Sequence, residues 1–439
     1  MNIGWITLLF FGGMFLFLAL GLPVAFGLGG VSLLLAFLLW GPESVSMGLF
    51  GAMAIVRYTL LVCIPMFIFM GMMLYHSGIA DDLYTMFEHW LAAIPGSLAV
   101  ATIGVCTVFA AMVGSVDPAI LTLGTTALPI MLKRGYSKYL VTGSIMSGAC
   151  LGFLIPPSVI AVLYAIIAKE SIGKLFAGGV FPGLILAALL CTYIIVRVRF
   201  QPHLAPGIPK SERIPWKQKF ALLSGVVLPG TIILATMGSI LSGIATPVEA
   251  SAVGAGFSTV AAAIKGRLNW KVLQDSLLTT AKLTAIAMWI FMAALTFGKV
   301  YAALGAKDLI EMITLGLPLP PIGILIIMQA TWFILGMVMD DTAILFITMP
   351  VYIPIIKLLG FDPVWFGVLY LVNMQMAFLT PPFGYCLFLM KGVAPPSISM
   401  VDLYRAVWPF VAIQGIVLII LMFSPQLATW LPNVLFGGG

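Results

Sequence analysis

The composition of this 439-residue chain places it in lipid rather than in water. Apolar residues make up 62% of the sequence and charged residues 8%, with a mean hydropathy of +1.16, and no water-soluble fold could bury so much apolar surface. The net charge of +6 does not indicate nucleic-acid binding, because the basic residues lie in short clusters between apolar segments. The five cysteines show no CxxC spacing, which favours buried structural residues over metal ligands.

Ten apolar segments are long enough to cross a membrane. They are 4–21, 24–40, 59–78, 139–168, 176–197, 220–241, 245–264, 283–303, 364–390 and 404–424. The first has no basic n-region and no clear cleavage site, so we expect a retained span rather than a signal peptide. Segments 79–94 and 268–282 mix charged residues with Trp and Leu, which predicts that they lie along the membrane interface.

Two further apolar regions, 95–132 and 318–356, are each too long for one span. Polar, helix-disrupting residues interrupt them near the middle, at 114–118 and 336–342. Such a break at membrane depth is tolerated only where the backbone faces protein or a water-filled cavity. We therefore predict two re-entrant hairpins, each entering and leaving the membrane on one side.

The two halves of the chain repeat each other. Gly135-Tyr136 and Pro156-Pro157 recur as Gly360-Phe361 and Pro381-Pro382, at a constant offset of 225 positions. This duplication predicts a first repeat over 1–200, a linker over 201–219 and a second repeat over 220–439. The fold class is then an all-α integral membrane protein, in which each repeat has about five transmembrane helices, one of them broken, and one re-entrant helical hairpin.

An odd number of spans per repeat places the second repeat upside down relative to the first. With the amino terminus outside, four basic-rich segments fall on one side, and the positive-inside rule makes that side cytoplasmic. These segments are 133–138, 197–219, 265–271 and 391–405.

The breaks in the hairpins and in the spans 139–168 and 364–390 are rich in oxygen ligands. Two consecutive prolines remove backbone donors and free the carbonyls of the preceding turn, and with nearby hydroxyls these suit a sodium ion. Half-helix amino termini favour an anionic substrate group. The predicted sodium ligands are Gly114, Ser115, Asp117, Gly152, Pro156, Ser158, Gly336, Asp340, Thr342, Thr380 and Pro381. The predicted substrate contacts are Ser115, Pro157, Ser158, Asp341 and Pro382.

Structural alternatives stay open for these residues. A Pro-Pro pair can simply kink a packed helix, and each hairpin Asp can cap the second helix of its hairpin. We expect Glu249 to have a structural role at a helix start. No P-loop, HExxH or GxSxG motif is present in the sequence, so neither ATP hydrolysis by a P-loop nor an embedded enzyme is expected, and no cofactor beyond coupling sodium ions is predicted.

Taken together, the motifs resemble those of one transporter family over essentially the whole chain. They are 21–23, 64–67, 77–80, 132–136, 152–158, 244–250, 336–340, 373–376 and 379–384. The chain is similar to the large membrane subunit of the tripartite ATP-independent periplasmic (TRAP) transporters. The last group, 373–376 with 379–384, continues into 391–396 and is similar to the branch associated with mannitol, chloroaromatic compounds and 2-oxo acids. Asp341 departs from the aromatic residue expected at that position.

The resemblance implies an elevator-type ion-transporter fold in the bacterial inner membrane. It further implies sodium-coupled uptake of a small organic acid, delivered by a periplasmic substrate-binding protein and assisted by a small four-span membrane subunit. A stand-alone sodium- or proton-coupled symporter or antiporter of the same superfamily remains the alternative, and a membrane-embedded enzyme is a more distant one.

Overall fold

The computed structural model describes residues 3–207, 209, 213–305, 319–382 and 384–437, and within these residues the fold is helical without any strand. Seven of the described helical segments are at least 18 residues long and apolar enough to cross a membrane. Shorter apolar helices of 10–17 residues accompany them. The all-α membrane fold predicted from composition is therefore confirmed.

The first repeat begins with two apolar helices and then contains the hairpin and the broken span. Its helices are α1 Ile3–Ala19, α2 Val24–Trp40, α3 Ser46–Arg57, α4 Cys63–Ser77, α5 Ile79–Leu91, α6 Ser97–Val113, α7 Asp117–Thr125, α8 Ala127–Lys133, α9 Lys138–Ala149, α10 Val159–Ala168 and α11 Ile172–Phe200. Short 3-10 turns occupy Pro42–Val45, Thr59–Val62, Cys150–Phe153 and Pro202–Leu204.

The second half repeats this order after a short helix in the linker. Its helices are α12 Trp216–Leu222, α13 Ser224–Ile233, α14 Ser239–Leu241, α15 Pro247–Ile264, α16 Trp270–Ala303, α17 Pro321–Gly336, α18 Asp341–Leu358, α19 Pro363–Leu379, α20 Tyr385–Val393, α21 Met400–Phe423 and α22 Gln426–Phe436. A π-helical turn, Leu234–Gly238, joins α13 to α14.

Both predicted hairpins are present, and local sequence explains where they turn. In the first hairpin, α6 ends at Gly114, whose φ of 68° lies in the left-handed region that glycine tolerates, and Pro118 follows at the start of α7. In the second, the Asp340 side chain caps α18 by accepting a hydrogen bond from the Ala343 backbone N–H at 2.8 Å. The turns therefore fall at the polar breaks that the sequence predicts.

Both predicted broken spans are also present. Helix α9 gives way to irregular backbone at 154–158 before α10 begins, and α19 stops at Leu379 before α20 begins at Tyr385. The peptide bonds Pro156-Pro157 and Pro381-Pro382 are both cis.

Helix α16 differs from the sequence prediction. We expected a separate interfacial segment over 268–282 followed by a span over 283–303, whereas the structure has one helix of 34 residues, about 51 Å long. The Asn269 side chain caps its start by accepting from the Val272 N–H at 2.9 Å. The helix contains no proline, and its first glycine is Gly298. The charged residues before 283 therefore do not end the helix.

The predicted structural role of Glu249 is confirmed. The Thr246 side chain accepts a hydrogen bond from the Glu249 N–H, and the Glu249 carboxylate accepts one from the Thr246 N–H at 2.8 Å. This reciprocal capping box starts α15.

Helix α5 contacts three of the four segments that the charge pattern predicts to be cytoplasmic. Glu88 of α5 pairs with Arg134 at 3.2 Å, Asp82 pairs with Lys265, and the Trp90 indole donates to the Lys219 carbonyl at 3.0 Å. The fourth segment joins through α9, where Lys138 pairs with Asp402 at 2.7 Å. These segments thus share one face, as the inverted arrangement requires.

The opposite face collects the segments with balanced charge. Lys357, at the end of α18, lies 3.5 Å from the Glu170 carboxylate. The Tyr164 hydroxyl of α10 donates to the Pro363 carbonyl at the start of α19, at 2.6 Å. The two repeats are therefore linked on this face as well.

The two broken helices form the centre of the core. Residues 140–158 and 364–380 are buried throughout. Phe153 packs edge-on against Phe378 with ring centroids 4.9 Å apart, and the Sγ atoms of Cys150 and Cys386 lie 3.4 Å apart. This packing holds the two Pro-Pro breaks beside each other and beside the hairpin tips.

Candidate functional site

A cavity of about 340 Å³ lies where the two hairpin tips meet α16. The first tip contributes Gly114, Ser115, Val116 and Asp117, and the second contributes Asp340, Asp341 and Thr342. Helix α16 closes the opposite wall with Leu283, Ile286, Ala287 and Ile290. The structure therefore brings six of the predicted site residues to one place.

The cavity is strongly acidic. Three carboxylates line it, on Asp117, Asp340 and Asp341, and no Lys, Arg or His does so among the described residues. No three Asp, Glu, His or Cys side chains in the described parts of the chain are close enough to hold a single metal ion. The carboxylates therefore surround the cavity and attract cations to it, rather than forming one tight metal cluster.

The first tip packs directly against the first broken helix. The Val159 N–H donates to the Gly114 carbonyl at 3.3 Å. A Cβ atom on Gly114 would lie 2.1 Å from the Pro157 carbonyl oxygen, and one on Gly152 would lie 3.1 Å from the Ser115 carbonyl oxygen. Glycine at both positions thus permits a close approach that places backbone carbonyls of tip and broken helix side by side.

Asp117 is the least satisfied of the three carboxylates. It lies in the first turn of α7, but it does not cap that helix with its side chain. The Tyr385 side chain lies beside this carboxylate, but Oδ1 is buried without a partner at hydrogen-bond geometry among the described residues. A buried acceptor without a donor is costly, and a bound cation would satisfy it.

The two carboxylates of the second tip have protein partners. Besides the cap that Asp340 provides, the Asp341 carboxylate accepts hydrogen bonds from the Thr342 N–H at 2.7 Å and the Thr342 hydroxyl at 3.2 Å. The Tyr370 hydroxyl of α19 donates to the Asp341 carbonyl. The capping alternative therefore holds for Asp340, and its carboxylate also faces the cavity.

The remaining predicted residues lie outside the cavity lining. They are Gly152, Pro156, Pro157, Ser158, Gly336, Thr380, Pro381 and Pro382, none of which lines the cavity. Ser158 is buried and caps α10 through the Ala161 N–H, and the Thr380 hydroxyl donates to the Met376 carbonyl at 2.7 Å. Pro382 is exposed, and its carbonyl accepts a hydrogen bond from the Tyr404 hydroxyl at 3.2 Å.

Sequence reasoning missed two groups that contribute to the site. Tyr385 lines the cavity beside Asp117, and its position three residues after Pro382 is the signal that could have indicated it. The apolar wall from α16 gave no local signal, because its residues are ordinary for a membrane helix. Only the packing of α16 against the hairpins reveals it.

Comparison with known proteins identifies the family. The sequence profile of the tripartite ATP-independent periplasmic transporter, DctM component, matches residues 11–427. The chain belongs to this family. It is thus a transporter component rather than an enzyme, and a multi-pass protein of the bacterial inner membrane. The resemblance read from the sequence motifs is confirmed at the level of the family.

Several curated proteins of this family are similar to this chain over most of its length. The C4-dicarboxylate TRAP transporter large permease protein DctM of Vibrio cholerae is 32% identical over 95% of both chains. The isethionate TRAP transporter permease protein DctMQ of Oleidesulfovibrio alaskensis is 32% identical over 95% of this chain and 65% of its own length. The ectoine/5-hydroxyectoine permease UehC of Ruegeria pomeroyi is 28% identical over 87% and 88%.

A solved structure shares the fold. The YdaH transporter of Alcanivorax borkumensis, described as having an unusual topology, aligns with a TM-score of 0.58 at 15% sequence identity. The alignment covers 86% of this chain and 90% of that one. At this identity the likeness concerns the fold alone.

Proposed function

We propose that this subunit imports a small organic acid by coupling its entry to sodium ions, which bind at the two hairpin tips. The family makes the chain a component of an organic-acid importer. The observation that carries the sodium coupling is the acidic cavity, where Asp117, Asp340 and Asp341 meet without a basic residue among the described ones.

The electrostatics of the cavity explain why cation and substrate would be coupled. An organic anion entering next to three carboxylates is repelled, because two like charges 4 Å apart in a partly desolvated site repel each other by about 4 kcal/mol. Bound sodium ions would neutralise the carboxylates and supply positive charge for the substrate. Anion binding without cations is then unfavourable, which is the thermodynamic basis of symport.

The ligands proposed for sodium lie at the two breaks. At the first, the Ser115 carbonyl and hydroxyl, the Pro157 carbonyl and the Asp117 Oδ1 atom are proposed as ligands. At the second, Asp340, Thr342 and Thr380 provide oxygens near the corresponding turn. The substrate would then sit between the tips, against Ser115, Asp341 and the α16 wall.

An elevator movement fits this arrangement. The hairpins and broken helices pack into one body around Phe153 and Phe378, while α16 presents an apolar surface to the cavity. Sliding that body along α16 would expose the cavity to either side in turn. The inverted repeats provide the symmetry for two equivalent end states.

The partners proposed are a periplasmic substrate-binding protein and a small four-span membrane subunit. The family description itself names a tripartite, periplasmic transporter. The longer relative named DctMQ, of which this chain matches 65%, is consistent with a further membrane segment joined to the large subunit in some members.

Reconstitution tests this proposal. Proteoliposomes containing this chain and the proposed small subunit should accumulate radiolabelled substrate only when the binding protein and an inward sodium gradient are both present. Accumulation at an undiminished rate without the binding protein would favour a stand-alone transporter instead.

A further inference from the structure

A second polar pocket lies on the face that carries the basic segments, away from the transport cavity. It has a volume of about 280 Å³ and forms where α9 begins, α11 ends and α21 begins. The Ser137 N–H donates to the Leu204 carbonyl at 2.8 Å, which holds the start of α9 against the chain that follows α11. No residue of the transport cavity lines this pocket.

Two arginines line the pocket without an acidic partner. Neither Arg197 nor Arg405 forms an ion pair in the described parts of the chain, and Arg197 donates only to the Tyr193 hydroxyl, over whose ring it also lies at 5.6 Å. The neighbouring carboxylate, on Asp402, is already engaged by Lys138 at 2.7 Å and by the Tyr139 hydroxyl at 3.2 Å. The pocket therefore retains two uncompensated positive charges.

Apart from Ser137, the remaining lining is apolar or aromatic. Leu140, Pro409 and Phe410 form one wall, and Phe410 packs edge-on against Tyr193 with ring centroids 5.2 Å apart. Guanidinium groups bind phosphate oxygens in a two-pronged geometry, and tyrosines are enriched where membrane meets water. A ligand that fits has a phosphate at the arginines and hydrocarbon along the apolar wall.

We propose that this pocket binds the phosphate of an anionic phospholipid at the cytoplasmic membrane surface. Basic pockets between membrane helices on the cytoplasmic side are suited to such headgroups, and both arginines lie at helix ends among the basic segments that mark that side. A bound lipid would hold together the starts of α9 and α21 and the end of α11.

Native mass spectrometry of the complex with the small subunit tests this. Purified from membranes and delipidated stepwise with detergent, the wild-type complex should retain phosphatidylglycerol or cardiolipin longer than phosphatidylethanolamine. The double variant Arg197→Gln and Arg405→Gln should retain at least tenfold less anionic lipid, the equivalent of about 1.4 kcal/mol, because both guanidinium groups that bind the phosphate are lost. If the double variant does not fold, the same measurement is made on the single variant Arg405→Gln, because Arg405 is exposed.

Arg199→Gln is the matched control, because Arg199 is exposed, lies two residues from Arg197 and does not line the pocket. It should retain lipid as the wild type does. Equal losses in Arg199→Gln and Arg405→Gln, or unchanged retention in the Arg405→Gln variant, would overturn the proposal. Displacement of the lipid by millimolar inorganic phosphate would instead assign the pocket to a soluble anion. Lipid retention is measured without any uptake assay, so its result can be distinguished from a failure of the proposed function.

Discussion

Two glycines determine how closely the first hairpin tip approaches the first broken helix. Gly114→Ala would place a methyl group 2.1 Å from the Pro157 carbonyl oxygen at a φ of 68°, a backbone conformation that costs an alanine about 1–2 kcal/mol before any clash. We expect sodium-driven uptake to be lost, because the tip must move away from its partner. Gly152→Ala, with a contact of 3.1 Å, should reduce uptake less.

The measurement is initial uptake at matched membrane abundance. Gly230→Ala is the control, since nothing lies within 4 Å of a Cβ at that helical position, and it should leave uptake unchanged. Normal uptake by the Gly114→Ala variant would show that the close approach is dispensable.

Hydroxyl ligands can be tested with little disturbance of packing. Ser115→Ala and Thr380→Ala each remove one oxygen near a break, so the sodium concentration for half-maximal uptake should rise roughly tenfold, the equivalent of about 1.4 kcal/mol. Thr331→Ala is a matched control. Like the Thr380 hydroxyl, the Thr331 hydroxyl donates a hydrogen bond to the carbonyl four residues earlier, at 2.8 Å. Equal sodium dependence in all three variants would argue against ligation by these hydroxyls.

At the scale of elements, the role of Asp340 as a helix cap in the second hairpin can be tested separately from a role in ion binding. Asp340 caps α18 through the Ala343 N–H, and serine caps a helix about as well as aspartate does. We therefore expect Asp340→Ser to express and melt like the wild type while losing sodium-dependent stabilisation, because the cap survives and the charge does not. Thermal shift against sodium concentration, with potassium as the control salt, measures this. If sodium raised the melting temperature of the variant as much as that of the wild type, Asp340 would be a helix cap and not a sodium ligand.

The elements that sequence could predict are those with a local physical cause. The hairpin turn at Gly114 and the breaks at Pro156-Pro157 and Pro381-Pro382 follow from backbone chemistry that a short stretch of sequence displays. The continuity of α16 was missed, because charged and apolar residues alternate there without a helix breaker. The wall that α16 adds to the site depends on packing between distant parts of the chain, which no local pattern encodes.

At the scale of the whole molecule, the contacts through α5 support the inverted topology. Gly207, in the linker, follows three residues after Leu204, whose carbonyl accepts a hydrogen bond from the Ser137 N–H in the basic segment 133–138. A Gly207→Cys variant on a cysteine-depleted background should therefore resist an impermeant thiol reagent in intact cells and react after permeabilisation. A tag after residue 439 should be accessible from the periplasm. Strong labelling of the Gly207→Cys variant in intact cells would contradict this arrangement.

Duplication and charge pattern thus predicted the order of elements in both repeats, whereas the meeting of both tips in one cavity required the structure. The sequence placed Asp117 and Asp341 at corresponding breaks, but the absence of a basic residue from the described cavity lining could be seen only in three dimensions. That absence is the reason for expecting cations to accompany the substrate.

The most direct test of this account compares driving forces in proteoliposomes that contain the complete transporter. An inward sodium gradient at equal pH on both sides should drive accumulation, and a proton gradient in sodium-free buffer should not. Replacing Asp117 by Asn should raise the sodium requirement, because Asp117 Oδ1 is a buried acceptor without a protein partner among the described residues. Accumulation driven by a proton gradient without sodium, and abolished by Asp340→Asn, would contradict sodium coupling at the hairpin tips.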